Sequence, residues 1–152
     1  MAAPLSSKTT TRTENAAVAA RLRVSATRLA RQLRQESDAG LTPSQLSALT
    51  SVERNGPLTL GRLAEHERVA PPSVTKVVTK LEEAGLVERR LDERDRRVAW
   101  ISISAAGAQL LAEMRLRKNV WLTARLAELD DDNLRRLADA LDALDALTAD
   151  PG

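Results

Sequence analysis

The chain has 152 residues, enough for one domain with its own hydrophobic core, and it has no cysteine. Disulfide bonds, thiolate metal sites and a cysteine nucleophile are therefore excluded, and with two tryptophans and no phenylalanine or tyrosine the core must be aliphatic. The net charge of +2 hides an uneven distribution: residues 1–35 carry seven lysines and arginines against Glu14, whereas residues 128–150 carry eight acidic residues against Arg135 and Arg136. Such runs are either solvated faces or complementary helices that lie side by side.

Residues 1–13 are small and polar, too poor in apolar side chains to offset the entropy of ordering, so the sequence predicts a flexible N-terminal tail. A second short tail is predicted at residues 149–152. The N-terminal segment lacks the apolar core of a signal peptide, and no later run approaches the roughly 18 apolar residues of a membrane span. We therefore expect a cytoplasmic protein with no membrane partner.

The first predicted helix begins near residue 14, where helical periodicity starts, and ends near Gly40. Its apolar face contains Val18, Leu22, Leu29 and Leu33. A second, short helix is predicted from a cap at Thr42, with proline in the first helical position, to an exit at Asn55–Gly56. A third helix is predicted to begin after a cap at Thr59.

The fourth predicted helix lies in PPSVTKVVTKLEEAG and ends at Gly85. Its apolar residues Val74, Val77, Val78 and Leu81 follow helical spacing and indicate one buried stripe. The opposite face is small, polar and basic, with Ser73, Thr75, Lys76, Thr79 and Lys80. A short helix, a tight turn and a second helix with such a face are typical of a helix-turn-helix, in which the second helix enters the major groove of DNA.

A two-stranded hairpin follows, and the loop between its strands, LDERDRRV, is charged and rich in arginine. Hairpin and helix together predict a winged helix-turn-helix, with Arg94, Arg96 and Arg97 directed at phosphates or at a narrow minor groove. If this segment is extended, Asp95 and Arg97 share a face, so the acid holds the arginine in a fixed pose. Asp92 is predicted to hold Arg94 in the same way. The alternative interpretation is a merely soluble hairpin.

After the hairpin, Ser104 is predicted to cap a long helix, and a last helix is predicted to begin at the acidic cluster 130–132, since carboxylates suit a helix N-terminus. Its leucines form an apolar seam that one thin domain cannot cover, which predicts a dimer built from the first and the two C-terminal helices. The predicted interface residues are Val18, Leu22, Leu134, Leu137, Leu141, Leu144 and Leu147.

Three segments of the chain resemble the MarR family of winged helix-turn-helix transcription regulators across residues 14–148. They are LTPSQLSAL, LAEHERVAPPSVTKVVTKLEEAGLVERR and DRRVAWISISAAG. The resemblance implies an intertwined homodimer, a pseudopalindromic operator and release from DNA by small phenolic or lipophilic compounds. We expect an effector of this chain to be a small aromatic acid or a phenol. It also implies that Arg97 enters the minor groove and that the exposed face of the fourth helix contacts the major groove. The residues of that face are Pro72, Ser73, Thr75, Lys76, Thr79 and Lys80.

The sequence departs from the family pattern at three positions. Arg68 stands where the family usually has a glycine in the turn, and Ala70 stands where a serine often caps the recognition helix. Loss of such a cap costs about 1 kcal/mol, which Pro71 offsets in part by presetting the first helical turn. Ser104 replaces the more common threonine at the junction of strand and helix.

The sequence thus predicts a mainly α (α+β) fold: a single domain at 14–148, with dimerisation helices at 14–40 and 104–148 and a winged helix-turn-helix at 42–103. It predicts a DNA-binding transcription regulator, a homodimeric repressor released by a small effector. The alternative is a winged-helix module that binds protein and not DNA. No catalytic set, cofactor or metal site is predicted, since the lone His66 is more typical of a surface residue, and no ligand-binding residue is identified.

Overall fold

The computed structural model describes residues 6–149, with side chains described from residue 12 onward. Over this range the elements are α1 (Ser6–Glu36), α2 (Pro43–Asn55), β1 (Leu58–Thr59), α3 (Leu60–Glu67), α4 (Pro71–Glu83), β2 (Val87–Leu91), β3 (Ala99–Ile103), α5 (Ala105–Leu126) and α6 (Asp131–Thr148). This order confirms the predicted mainly helical fold with a winged helix-turn-helix. No helix in the described range is both long and apolar enough to cross a membrane.

The chain divides into two compact units. Ser37–Arg117 forms the winged unit, and the helical unit combines α1 with the residues from 118 on. The sequence predicts one domain whose winged part ends at residue 103, but the structure includes the first half of α5 in the winged unit. The reason is burial, because Leu111 and Met114 on that half of α5 belong to the same hydrophobic core as the helix-turn-helix.

The core of the winged unit consists of aliphatic side chains, as the composition requires. Its most completely buried members are Leu49, Leu63, Val78, Leu81 and Ile101. The stripe predicted on α4 faces this core: Val74, Val78 and Leu81 are buried, and Val77 is half-buried against them. Removing these side chains from water is what fixes the polar face of α4 outward.

The sheet has three antiparallel strands in the order β1-β3-β2, one more than the predicted hairpin. Leu58 and Thr59 pair with Ile101 and Trp100 on β3. A two-residue strand has no alternation of its own, so nothing local in the sequence announces it. β3 is consequently the central strand and is hydrogen-bonded on both sides.

Local helix signals predict most helix starts. Thr42 forms a capping box with Gln45, and the side chain of Thr59 accepts from the N–H of Arg62. Asp130 accepts from the N–H of Asn133 and caps α6. These caps are predictable because each involves residues only three apart.

The start of α1 differs from the prediction, because its backbone is helical from Ser6 and not from residue 14. Residues 6–13 of the predicted tail are therefore helical, whereas residues 1–5 lie outside the described range. Extending an existing helix fixes one residue for each hydrogen bond gained, so a polar segment adjoining a long helix can continue it. Of the tail predicted at 149–152, the structure describes only Ala149, whose N–H caps α6 by donating to Asp145.

Candidate nucleic-acid interface

The outward face of α4 brings together the residues predicted to contact the major groove. Pro72, Ser73, Thr75, Lys76 and Lys80 are exposed, and Thr79 is half-buried. They share one side of the helix because its opposite stripe is buried in the core. The helix has 13 residues and carries hydroxyl, methyl and ammonium groups on its exposed face. An α-helix fits the width of the major groove, and these groups can contact the base edges and phosphates there.

The hydroxyl groups on this face are already oriented by the helix itself. Thr75 Oγ1 donates to the carbonyl of Pro71 over 3.0 Å, and Thr79 Oγ1 donates to the carbonyl of Thr75 over 2.9 Å. With its proton engaged, each hydroxyl still has lone pairs to accept a hydrogen bond, and its methyl group remains available for apolar contact. Both threonines therefore suit thymine methyl groups and base amino groups better than acceptor atoms.

The two lysines of α4 differ in availability. Lys80 Nζ lies 2.8 Å from Glu83 Oε2, and this hydrogen bond raises the pKa of Lys80. Lys76 makes no ion pair within the described part of the chain. Lys76 is thus the cation on this helix that can meet DNA without first leaving an acidic partner.

The turn before α4 has an unusual backbone. Arg68 adopts φ 53° and ψ 42°, and it alone among the described non-glycine residues has a positive φ. The N–H groups of Arg68 and Val69 close the end of α3 by donating to the carbonyls of Glu65 and Ala64. Ala70 begins α4 without any side-chain cap, and its carbonyl accepts from the N–H of Ser73. Both departures from the family pattern thus have visible structural consequences.

The wing loop, residues 92–98, is a closed turn and not an extended segment. The N–H of Asp92 donates to the carbonyl of Val98 over 2.9 Å, and the N–H of Val98 donates to the carbonyl of Asp95 over 2.9 Å. Each aspartate also accepts from the N–H two residues further on, in Arg94 and Arg97. Aspartates favour such turns because the carboxylate replaces a backbone acceptor.

Asp95 holds Arg97, as the sequence predicts, although the predicted reason was wrong. Arg97 Nε lies 3.0 Å from Asp95 Oδ1, and Nη2 lies 3.1 Å from Oδ2. The pair forms within the turn and not along one face of a strand. This bidentate bond, with the N–H of Arg97, keeps the pKa of Asp95 below its ordinary value. The side chain of Arg97 is nevertheless 91% exposed, so it is oriented and accessible at once.

Asp92 does not hold the guanidinium of Arg94, and that prediction is corrected by the contacts of its carboxylate. Oδ1 accepts the N–H groups of Arg94 and Asp95, both over 2.9 Å, and Oδ2 accepts Nε1 of Trp100 over 3.0 Å. The turn geometry directs the carboxylate toward backbone N–H groups, so both of its oxygens already have donors and the guanidinium of Arg94 is not bonded to them. The side chains of Arg94 and Arg96 are exposed and make no ion pair with described residues.

The contact between Asp92 and Trp100 was not predicted from sequence. A signal for it existed, because residues at equal distances from a hairpin tip come opposite each other, and the register pairs Arg90 with Trp100. Asp92 lies two residues beyond Arg90 and therefore within reach of the large indole ring.

The residues predicted for the dimer interface lie on α1 and α6 of the helical unit. Val18, Leu134, Leu137, Leu141 and Leu147 are exposed in the single chain, and Leu22 and Leu144 are half-buried. No residue of α6 is buried, although its leucines recur at helical spacing along one stripe. Large exposed apolar stripes of this kind mark interaction surfaces.

Taken together, a helix-turn-helix with a polar and basic outer face and a hairpin with an oriented arginine define a DNA-binding protein of the winged-helix class. The sequence pattern of the MarR family matches residues 41–99. Over 131 residues the chain is 39% identical to HTH-type transcriptional regulator ML2140 of Mycobacterium leprae (strain TN), covering 86% of this chain and 92% of that protein. The chain belongs to the MarR family of transcription regulators, and the resemblance seen in its motifs is confirmed.

A solved structure and a second named relative agree with this assignment. A transcriptional regulator protein from Pseudomonas aeruginosa PA01 has a TM-score of 0.78 and 32% identity, covering 88% of this chain and 95% of that one. HTH-type transcriptional repressor MdtR of Bacillus subtilis (strain 168) is 29% identical over 99 residues, which are 65% of this chain and 64% of that protein. These names indicate transcription regulators and not enzymes.

Proposed function

We propose that this protein is a homodimeric repressor that binds a pseudopalindromic operator through α4 and the wing loop and is released by a small aromatic or lipophilic effector. The observation that carries the DNA-binding geometry is the bidentate bond between Asp95 and Arg97 on an exposed loop. A guanidinium group held in one pose loses less entropy on binding than a free one, and it suits both phosphates and a narrow minor groove.

The two parts of the interface have different tasks in this proposal. Arg97 contacts the sugar-phosphate edge of the minor groove, and the exposed Arg94 and Arg96 contact further phosphates, so the wing contributes affinity for any sequence. Thr75 and Lys76 face base edges in the major groove and contribute the choice of sequence. Pro72, Ser73, Thr79 and Lys80 complete the major-groove surface.

The dimer is supported by the exposed leucine stripe of α6 and by charge. The end of the chain that contains α6 is acidic, and α1 is basic, so copies of the two helices attract each other. Replacing Leu137 and Leu141 together by serine removes four apolar side chains from a dimer and is expected to weaken dimerisation about a thousandfold or more, since burying the exposed half of a leucine contributes about 1 kcal/mol. Light scattering measures the change, with Ala143→Ser, at an exposed and uncharged position on another face of the same helix, as the control. A fully dimeric double variant contradicts the interface.

Repression is supported by kinship, and release by an effector is the part of the proposal that needs its own test. The relative MdtR is named a repressor, and a chain without cysteine cannot be switched by thiol oxidation. An effector releases DNA only if it binds more tightly to a state that the operator does not fit. Operator affinity measured with a panel of aromatic acids at millimolar concentration tests this. If none of them changes the affinity, the effector part of the proposal is wrong.

The DNA-binding proposal is tested with the DNA upstream of the chain's own gene and a scrambled duplex, each at several salt concentrations. Arg97→Ala is expected to weaken binding to both DNAs and to lower the salt slope by about 1 for each phosphate that a half-site no longer engages. Lys76→Ala is expected to change the ranking of operator variants, by roughly 1 to 3 kcal/mol at a contacted base.

The matched control is Arg125→Ala. Arg125 is also an exposed arginine paired with a carboxylate, that of Glu128, but it lies in the helical unit. Its removal is expected to leave both affinities unchanged. If the parent protein binds neither DNA at low salt, the alternative of a protein-binding module replaces the proposed function.

A further inference from the structure

The carboxylate of Asp92 in the wing loop accepts three hydrogen bonds although the residue is only half-buried. Asp92 accepts the N–H of Arg94, the N–H of Asp95 and the indole N–H of Trp100. We propose that Asp92 and Trp100 form a positioning pair that ties the wing loop to the sheet and so sets the pose in which Arg97 meets DNA. This proposal rests on the proposed function, because it requires that Arg97 contact DNA.

The hydrogen bonds form a continuous path from the sheet to the wing arginine. The indole of Trp100 donates to Oδ2 of Asp92 over 3.0 Å, and Oδ1 of Asp92 accepts the N–H of Asp95 over 2.9 Å. Asp95 in turn accepts both the N–H and the guanidinium of Arg97. Breaking the first bond therefore loosens the residue that holds the arginine, although it touches neither the arginine nor DNA.

The sheet end of this path is rigid. Trp100 lies on the central strand, where it is paired with Thr59 of β1 on one side and Arg90 of β2 on the other. The loop end has no such support, since Glu93, Arg94, Arg96 and Arg97 are all exposed. The hydrogen bond from Trp100 to Asp92 restrains the loop relative to the sheet. A loop that is already restrained loses less conformational entropy when DNA binds.

A plainer interpretation is that the ring of Trp100 only covers the sheet and that its N–H meets Asp92 by chance. The ring is partly exposed, which fits either view. The N–H of Trp100 is, however, the largest of the influences that keep the pKa of Asp92 below its ordinary value, ahead of both backbone donors. Trp100→Phe separates the two interpretations, because it keeps an aromatic ring on the strand and removes only the donor.

The first experiment measures operator affinity for Trp100→Phe, Arg97→Ala and the two combined. Trp100→Phe alone is expected to weaken binding about 3- to 10-fold, the range of an ordinary intramolecular hydrogen bond, because the bond acts on Arg97 only through the loop. In the Arg97→Ala background it is expected to cause no further weakening, because the residue it positions is gone. Trp121→Phe, a tryptophan of the helical unit, is the control and is expected to leave the affinity unchanged. Equal weakening in both backgrounds, or none in the parent, overturns the proposal.

The second experiment needs no DNA. Amide exchange followed by NMR is expected to show faster exchange at Arg94 and Asp95 in Trp100→Phe than in the parent, with unchanged exchange in α2. Unchanged protection at both amides overturns the pair even if the operator is bound. Failure of the parent protein to bind any operator contradicts the proposed function instead, and the exchange result still decides whether Trp100 orders the loop.

Discussion

The turn that leads into α4 and the wing loop are both exposed connections in the winged unit, yet they are held in different ways. The turn contains Arg68 in a left-handed conformation and starts α4 at Ala70 without a side-chain cap. In the wing loop, by contrast, the carboxylates of Asp92 and Asp95 accept six hydrogen bonds from backbone N–H groups and side chains.

The difference follows from what lies beneath each connection. The turn is flanked by Leu63 and Ala64 on α3 and by Val74 on α4, all buried, so core packing holds it even where local geometry is unfavourable. No residue of the wing loop is buried, so its order must come from the polar bonds made by its aspartates, including the one from Trp100. A segment can therefore tolerate poor local chemistry where burial supports it, and needs good local chemistry where burial is absent.

The largest expected effect comes from the base of the wing, where packing and not polar bonding should dominate. A Cβ at Gly107 would lie 2.1 Å from the carbonyl oxygen of Leu86 and 2.9 Å from Cγ1 of Ile103. Gly107→Ala is therefore expected to lower the free energy of unfolding by about 3 kcal/mol, the upper end for an overpacked site. Gly61→Ala is the control, because a Cβ at that position would have no atom within 4 Å. It should not lower the melting temperature. Equal melting temperatures for the two variants would contradict this account.

Ser104 tests whether the wing base also depends on a polar bond. Its Oγ donates to the carbonyl of Gly85 over 2.6 Å and accepts the N–H of Gly107 over 3.0 Å. Ser104→Ala leaves both groups without a partner and is expected to destabilise the fold by about 2 kcal/mol in urea unfolding. Ser104→Thr keeps the hydroxyl and should stay close to the parent. A threonine variant as unstable as the alanine variant would show that space, and not the hydroxyl, decides this position.

The uncapped start of α4 should be improved by the residue that it lacks. Ala70→Ser supplies an oxygen at the position where Thr42 and Thr59 cap their helices. We expect it to raise the free energy of unfolding by about 1 kcal/mol. Ala70→Val, which cannot cap, serves as the control. If serine has no effect, the N–H groups at the start of α4 already have hydrogen-bond partners and a side-chain cap adds nothing.

The strained residue of the turn gives a smaller gain. Arg68→Gly removes a left-handed penalty of about 1 to 2 kcal/mol, but glycine costs about 0.5 to 1 kcal/mol through the freedom of the unfolded chain. A net stabilisation of about 0.5 to 1 kcal/mol is expected in the same unfolding assay. Arg68→Ala keeps the penalty and should gain nothing. A variant with glycine that is less stable than the parent would mean that the arginine side chain itself stabilises the turn.

The smallest effect is a dependence on pH that distinguishes the two connections. Hydrogen bonds keep the pKa of Asp92 and of Asp95 below the ordinary value. Their contribution to loop order is therefore complete above about pH 4, the ordinary aspartate value, and disappears as the pH falls through the lowered folded values. Amide shifts at Arg94 and Arg97 should change in that range, while those of Ser73, bonded to a carbonyl that does not titrate, should not. A change already between about pH 5 and 7 would contradict this.

Much of the candidate interface could be predicted because it depends on short stretches of sequence. The exposed face of α4 follows from helical spacing. The pairing of Asp95 with Arg97 was predicted from their separation by two residues, but it forms because the loop closes into a turn. The bond from Trp100 to Asp92 was not predicted, because it depends on the register of two strands, which the sequence indicates only once the position of the hairpin tip is known. The predicted pairing of Asp92 with Arg94 failed for a related reason, because the turn presents backbone N–H groups to the carboxylate first.

By itself the sequence determined the helices of the described range apart from the start of α1, the caps at Thr42 and Thr59, the start of α6 at the acidic cluster 130–132, and the family, since these rest on short stretches of sequence. Tertiary structure alone decided the third strand β1, the inclusion of half of α5 in the winged unit, and the pair of Glu53 with Arg115, whose two nitrogen–oxygen distances are 2.8 and 2.9 Å. Glu53 and Arg115 are 62 residues apart. A helix and its cap depend on the dihedral angles of a few neighbouring residues. A contact between residues far apart in the chain forms only when burial of the common core brings them together, because closing the long loop between them costs entropy.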